Sequence, residues 1–252
     1  MTKKAHSPKR HRDKPYKRIV LKLSGEVLGG SSRTILDIDF ARDVLRQIRD
    51  VVQMGIEIGV VVGGGNIIRG CEAVKQGLGR VSADSIGMLG TIVNGIALRD
   101  IGRGMGLDVR VLSCIPSSSF VEPYAVEEAM THMKEGRVVV FVGGTGNPFL
   151  TTDTAAALRA AEIRADVILK ATKVDGVYSA DPVVDARAKR FESITFKDAM
   201  RLELGFMDRS SLCLCNEAEI PVVVFNIFER DSIKRVASGE RIGTIVAGVS
   251  HD

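Results

Sequence analysis

Apolar residues along this chain come in short blocks separated by glycine and polar turns. Tyr16–Ser24, YKRIVLKLS, reads as a first strand ending at Gly25. From Asp39 to Met54, the positions Phe40, Val44, Leu45, Ile48, Val51 and Val52 keep helical spacing, and the pattern stops at Gly55. Residues 56–62 form a short apolar run closed by Gly63, Gly64 and Gly65. Four more blocks, Val109–Leu112, Val138–Val142, Val167–Lys170 and Val222–Asn226, are rich in Val and Ile and continuously apolar. Strands of that kind are covered on both faces, as in a parallel sheet between helix layers. Helical stretches over about 124–134, 152–165 and 195–218 complete a β/α alternation. Residues 82–101 are helical in length but apolar on most sides, which predicts a helix buried all round, either central or in a subunit contact.

These elements predict an α/β fold of residues 16–252 as a single domain. A weak boundary near 150 divides it into an N-lobe (about 16–150) and a C-lobe (about 151–252) on one continuous sheet. Net charge changes the picture only at the start of the chain. The total is +4, residues 1–18 carry +7, and the remainder therefore carries −3. Residues 1–15 are expected to be a basic, disordered, solvated tail, with a nucleic-acid-binding arm as the alternative. No signal-peptide pattern and no run of 18 apolar residues is present, so a cytoplasmic protein without a membrane span is expected. Cys71, Cys114, Cys213 and Cys215 show neither disulfide nor zinc spacing and read as reduced thiols. The histidines at 6, 11, 132 and 251 are scattered, which argues against a His-based metal site or triad.

Chemistry gathers at the predicted strand ends, where open α/β sheets bind ligands. LKLSGE places Lys22 inside an apolar strand, where an unpaired ammonium is unfavourable. A phosphate partner would satisfy it, and so would an acid such as Asp153. Gly63–Gly65 would let backbone N–H groups approach an anion, with a helix starting near Asn66 adding its positive end; a purely steric tight turn is the alternative. The loop TGNPFLTTD, Thr145–Asp153, precedes a helix. Pro148 and Gly146 pre-shape it, side chains of Thr145, Asn147, Thr151 and Thr152 offer donors, and Gly146 and Phe149 offer backbone donors. A plain N-cap accounts for one of Thr151, Thr152 and Asp153, not all three. The chain lacks GxxxxGK[ST], the HRD and DFG motifs, and GxGxxG.

In order along the chain stand KLSGE (22–26), VVGGGNIIRG (61–70), ADSIGMLGTIVNGIALRD (83–100), GGTGNPFLTTDTAA (143–156) and LKATKVDGVYSADP (169–182). In these motifs the sequence strongly resembles the bacterial UMP kinases of the amino acid kinase superfamily, over about residues 16–247. The resemblance implies a three-layer αβα sandwich with a mostly parallel central sheet. It implies transfer of the ATP γ-phosphate to UMP, giving UDP and ADP in pyrimidine nucleotide biosynthesis, with magnesium and no covalent intermediate. Carried over, Lys22, Leu23, Ser24 and Gly25 would line the ATP phosphates, with Lys22 stabilising the transferring group. Gly65 and Arg69 would also meet ATP phosphates, while Thr172, Tyr178 and Asp181, with Lys173, would frame the adenine nucleotide. Gly64 would meet UMP and Asp84 its ribose. Thr145, Gly146, Asn147, Pro148, Phe149, Leu150, Thr151 and Thr152 would cradle UMP. Asp153 would organise Lys22 and the magnesium, which is otherwise held through phosphates. Leu150 stands where an aromatic is common in the family. Residues 28–36 lack the segment linked to GTP activation in some members, and Asp208 matches a position near the family's subunit interfaces. A homohexamer, a trimer of dimers, and UTP inhibition are further implications. The rivals are a sister kinase acting on acetylglutamate, carbamate, glutamate or aspartate, and a non-enzymatic member that stores oxoanions or senses nucleotides.

Overall fold

The computed structural model describes residues 14–30, 34–182, 184–185 and 187–248. Most of the basic tail, residues 31–33 of the 28–36 segment, and His251 lie outside the described residues. The first half runs β1 (Arg18–Leu23), α1 (Gly25–Leu28), α2 (Ile38–Gln53), β2 (Glu57–Val62), α3 (Gly70–Lys75), α4 (Arg80–Gly104), β3 (Val109–Ser113), β4 (Glu122–Pro123), α5 (Val126–Lys134) and β5 (Val138–Val142). The second runs α6 (Thr152–Glu162), β6 (Val167–Thr172), β7 (Ser193–Thr195), α7 (Phe196–Arg201), α8 (Arg209–Glu217), β8 (Val222–Asn226), α9 (Ser232–Ala237) and β9 (Thr244–Ala247). All strands join one sheet in the order β4-β3-β5-β2-β1-β6-β8-β9-β7. The β8–β9 pair is antiparallel and the other pairs are parallel.

The continuous apolar runs arise because alternate residues feed two cores. Ile19, Leu21 and Leu23 of β1 and Val167, Leu169 and Ala171 of β6 pack with Val44, Leu45 and Ile48 of α2. Val20 and Ile168 point the other way, onto Ala155–Ala157 and Ala160 of α6 and Leu212 and Cys215 of α8. The alanines let α6 lie close over the centre of the sheet. β1 sits where strands of the first half go one way and those of the second half the other. That switch point is where a doubly covered sheet opens a crevice at its carboxyl edge.

Three expectations differ. The stretch 195–218 is two helices, because it holds two caps. Thr195 accepts from Asp198 N at 3.0 Å and starts α7; Asp208 accepts from Ser211 N at 2.8 Å and starts α8. Between them Glu203 takes a left-handed φ of 51°. The chain also forms no helix at Asn66. Ile67 and Ile68 N–H close a turn onto Gly64 O, and α3 begins only at Gly70. Finally, α4 is not buried all round: Leu89 and Val93 are each more than half exposed. With 25 residues it is long and apolar enough to cross a membrane by length and composition. Its other side is bonded into the loops described next, which marks it as a helix of this fold.

Candidate active site

Lys22 on β1 and Lys170 on β6 are register partners. Residues directly opposite in a parallel pair share a face, so two ammoniums stand side by side, both buried. Like charges so placed repel, and burial adds a desolvation cost. Asp153, in the first turn of α6, answers both. Lys22 Nζ lies 2.8 Å from its Oδ1, and Lys170 Nζ donates to its Oδ2 at 2.5 Å. The Oδ1 contact is an ion pair between two little-exposed side chains. Burial alone would push the Asp153 carboxyl up; the Lys22 and Lys170 ammoniums outweigh it and hold the group below the usual carboxylate range. Lys170 is pushed down to about 8, first by burial and then by the Lys22 charge, against the pull of Asp153. The cluster of two ammoniums and one carboxylate carries a net charge of +1 while both lysines are protonated.

The start of α6 is fixed from below. Thr151 Oγ1 accepts from Asp153 N at 3.0 Å and donates to Asp208 Oδ2. Thr154 Oγ1 donates to the same carboxylate at 3.0 Å. Asp208, within one chain, thus ties the cap of α8 to the cap of α6.

On the β2 side, a cavity of about 630 Å³ is lined by Gly64, Gly65, Arg69, Asp84, Leu150, Thr151 and Thr152, among others. Gly63–Gly65 press against Gly25, where a Cβ would stand 2.6 Å from Gly65 N. Ser24 caps α1, accepting from Val27 N at 3.2 Å. Arg69 pairs with Glu26 at 3.0 Å and Glu72 at 3.2 Å. Asp84 Oδ2 accepts from Arg80 Nε and from Phe149 N, both at 2.8 Å. Phe149 is held at φ 68°, unusual for a residue with a Cβ, and its ring lies under the Arg80 guanidinium. The loop's own donors therefore differ from expectation. Gly146 N–H is bonded to Gly143 O, Phe149 N–H to Asp84, and Asn147 N–H to Thr145 Oγ1. Three of the loop's side-chain donors are spent inside the protein as well: Thr145 Oγ1 donates to Asn147 O at 3.4 Å, Asn147 Nδ2 to Thr145 O at 3.2 Å, and Thr151 Oγ1 to Asp208.

On the β6 side, a second cavity of about 370 Å³ is lined by Gly176, Tyr178, Asp181, Leu204 and their neighbours. Thr172 Oγ1 donates to Val174 O at 2.7 Å, Tyr178 OH donates to Asp175 Oδ1 at 2.6 Å, and Lys173 is exposed. Neither lysine of the pair lines either cavity. They stand one and two residues short of the carboxyl ends of the two central strands, and the segment after β1 contributes Glu26 to the first cavity while the loop after β6 contributes residues within 174–182 to the second.

Lys170 is absent from the residues expected from sequence, although it carries the signal that singles out Lys22, a lysine inside an apolar strand. Among the described residues, one His/acid group has metal-ligand spacing: Glu122, Glu128 and His132. His132 Nδ1 accepts from Arg137 at 2.9 Å, so Nε2 carries the proton and donates to Glu122 at 3.0 Å. Both ring nitrogens are used, as in a structural histidine.

The model of the amino acid kinase family matches residues 17–226. The chain belongs to the amino acid kinase family. Within it, the chain is 48% identical over 237 residues to the uridylate kinase of Legionella pneumophila (strain Corby), covering 94% of this chain and 96% of the relative. The crystal structure of UMP kinase from Bacillus anthracis superposes with a TM-score of 0.89 at 38% identity, covering 93% of this chain and 97% of the other. UMP kinase from Ureaplasma parvum gives 0.86 at 36% identity, covering 92% and 98%. The mostly parallel nine-stranded sheet of this amino acid kinase is the α/β architecture expected from its sequence.

Proposed function

We infer that this chain is a UMP kinase: it moves the γ-phosphate of ATP onto the phosphate of UMP, giving UDP and ADP. The observation that carries the reading is the Lys22–Asp153–Lys170 cluster, near the carboxyl ends of the two central strands whose following segments line the two cavities. UMP occupies the β2-side cavity, with Asp84 at the ribose, Gly64 at its phosphate, and residues 145–152 around the base. ATP occupies the β6-side cavity, with Thr172, Lys173, Tyr178 and Asp181 around the nucleoside. Its phosphates reach back along Lys22–Gly25, Gly65 and Arg69.

A phosphate oxygen of UMP attacks the γ-phosphorus, the bond from that phosphorus to the β,γ-bridging oxygen breaks, and ADP leaves with the bond's electrons. UMP's phosphate is already ionised, so no base is needed. What the protein supplies is alignment and charge. Lys22 and Lys170 neutralise the transferring group, and Asp153 holds both in place.

Magnesium enters as the ATP complex. Asp153 does not suit direct ligation, since each oxygen faces an ammonium. Glu26, Asp84 and Asp208 are likewise engaged by Arg69, Arg80 and threonines. The open apolar face of α4 supports a dimer contact; a hexamer, a cytoplasmic location and control by UTP or GTP rest on the family resemblance alone. Kinases of small acids are disfavoured by a cavity of about 630 Å³, large for a single amino acid. UDP formation from UMP and ATP, with CMP, acetylglutamate, carbamate, glutamate and aspartate offered in parallel, and with UTP and GTP added, tests the reading. Turnover of any other acceptor in preference to UMP overturns it.

A further inference from the structure

Asn94, buried in the middle of α4, and Asn66, beside the glycine loop, form a reciprocal amide pair. Asn66 Nδ2 donates to Asn94 Oδ1 at 2.9 Å, and Asn94 Nδ2 donates to Asn66 Oδ1 at 2.7 Å. The remaining donors fix which way each amide points. Asn94 Nδ2 also reaches Gly63 O at 2.7 Å, and Asn66 Nδ2 reaches Ile35 O at 2.5 Å. Flipping either amide would set oxygen against a backbone carbonyl.

Around this pair the backbones are in contact. A Cβ on Gly25 would lie 2.5 Å from Asn66 Oδ1, and one on Gly64 would lie 2.5 Å from Gly87 O of α4. The same side of α4 holds the second loop: Thr91 Oγ1 accepts from Gly143 N at 2.7 Å, and Asp84 takes Phe149 N. Residues 84, 87, 91 and 94 recur at helical spacing, so one face of α4 carries both loops on successive turns.

We propose that Asn66 and Asn94 are positioning residues for phosphoryl transfer, an amide clasp that seats the 63–66 loop on α4 and against Gly25. The two phosphates are then presented at a fixed separation. Neither residue touches the reacting atoms; each acts through Gly63–Gly65. The proposal rests on the kinase reading above. Loss of the clasp leaves both cavities in place, so it disturbs alignment more than binding.

The test uses the full chain with Asn66→Ala, Asn94→Ala, the double variant and Asn94→Asp. Misplacement by about 1 Å at a transfer site is enough to cost up to about 100-fold. Each single variant should lose about 10-fold or more in kcat, with KM for UMP and for ATP moving less than about 5-fold. Residues acting as one unit are non-additive, so the double variant should be no worse than about 2-fold below the weaker single. Asn94→Asp supplies the chemical signature. A protonated carboxyl keeps the acceptor for Asn66 and one of the amide's two donated bonds, whereas the carboxylate keeps no donor and opposes Gly63 O. Its activity relative to wild type should therefore rise as pH falls from about 8 to 6, while that of Asn94→Ala stays level.

Hydrogen exchange without nucleotide should show faster exchange at residues 63–68 in Asn66→Ala, a half-buried site whose change leaves the core intact. That measurement stands apart from wild-type UMP turnover, so the clasp and the kinase reading fail separately. Full kcat in Asn66→Ala, multiplying losses in the double variant, no acid recovery in Asn94→Asp, or unaltered loop exchange would each overturn the proposal.

Discussion

Replacing Lys170 by Met removes one ammonium and keeps most of the buried stem. Two opposite unit charges about 4 Å apart interact by about 4 kcal/mol at an effective dielectric of about 20. Losing one preorganised charge partner at a transferring group has a similar cost, about 3–4 kcal/mol, or 10²–10³ in kcat. Stability should move much less. Asp153 keeps Lys22 at 2.8 Å, so no lone carboxylate is left, and the opposition of two lysines across β1 and β6 disappears. The assay is steady-state UDP formation with a thermal melt on the same preparation. The free enzyme's kcat/KM should also report Lys170. The group sits at about 8, below an ordinary lysine, so it is charged at neutral pH and loses its proton as pH rises through about 8. Wild-type kcat/KM should fall across that range, and the fall should be missing in Lys170→Met. A variant with kcat within about 3-fold of wild type, or with the same alkaline fall, would refute the role given to Lys170.

Lys22→Ala should cut turnover by more than about 100-fold while UMP binding, followed by calorimetry, stays largely intact; unchanged turnover would remove Lys22 from the chemistry. Asp208→Ala strips a cap from α8 and a partner from both Thr151 and Thr154. It should cost about 2–3 kcal/mol, lowering Tm by about 5–10 °C in a chain of this size, and should slow turnover; an unmoved Tm contradicts the linkage. Leu89→Glu with Val93→Glu places charge on the open face of α4, so light scattering should show a smaller assembly than wild type, whereas a monomeric wild type would end the dimer reading. On the kinase reading, bound phosphate adds counter-charge beside Lys170 while Asp153 stays in place. The alkaline limb of kcat should then lie above that of kcat/KM, and coincident limbs would place Lys170 away from the phosphates.

The sheet was legible because continuous Val/Ile runs have few alternatives once each residue must be buried on one face or the other. The helix over 195–218 was misread because apolar spacing continues through Leu202–Met207 while the caps at Thr195 and Asp208 restart the chain twice. Lys22 stood out as a cation in an apolar strand beside a glycine-rich turn, and Asp153 as an acid at a helix start. Lys170 gives the same signal as Lys22, yet on its own it reads as the polar end of a strand. Its meaning comes only from register, which sets it across from Lys22, and register between strands 148 residues apart is set by the whole sheet. The inward-turned N–H groups of Gly146 and Phe149 were hidden for a related reason, since their acceptors, Gly143 O and Asp84, are assigned by loop geometry. Register also explains why the acid is needed. Two buried ammoniums on facing strands would drive one another toward the neutral form, and Lys170 is already pulled to about 8 with Asp153 present. A carboxylate shared by both answers the two lysines at once, and on the kinase reading it stays to hold them when an anion binds beside it.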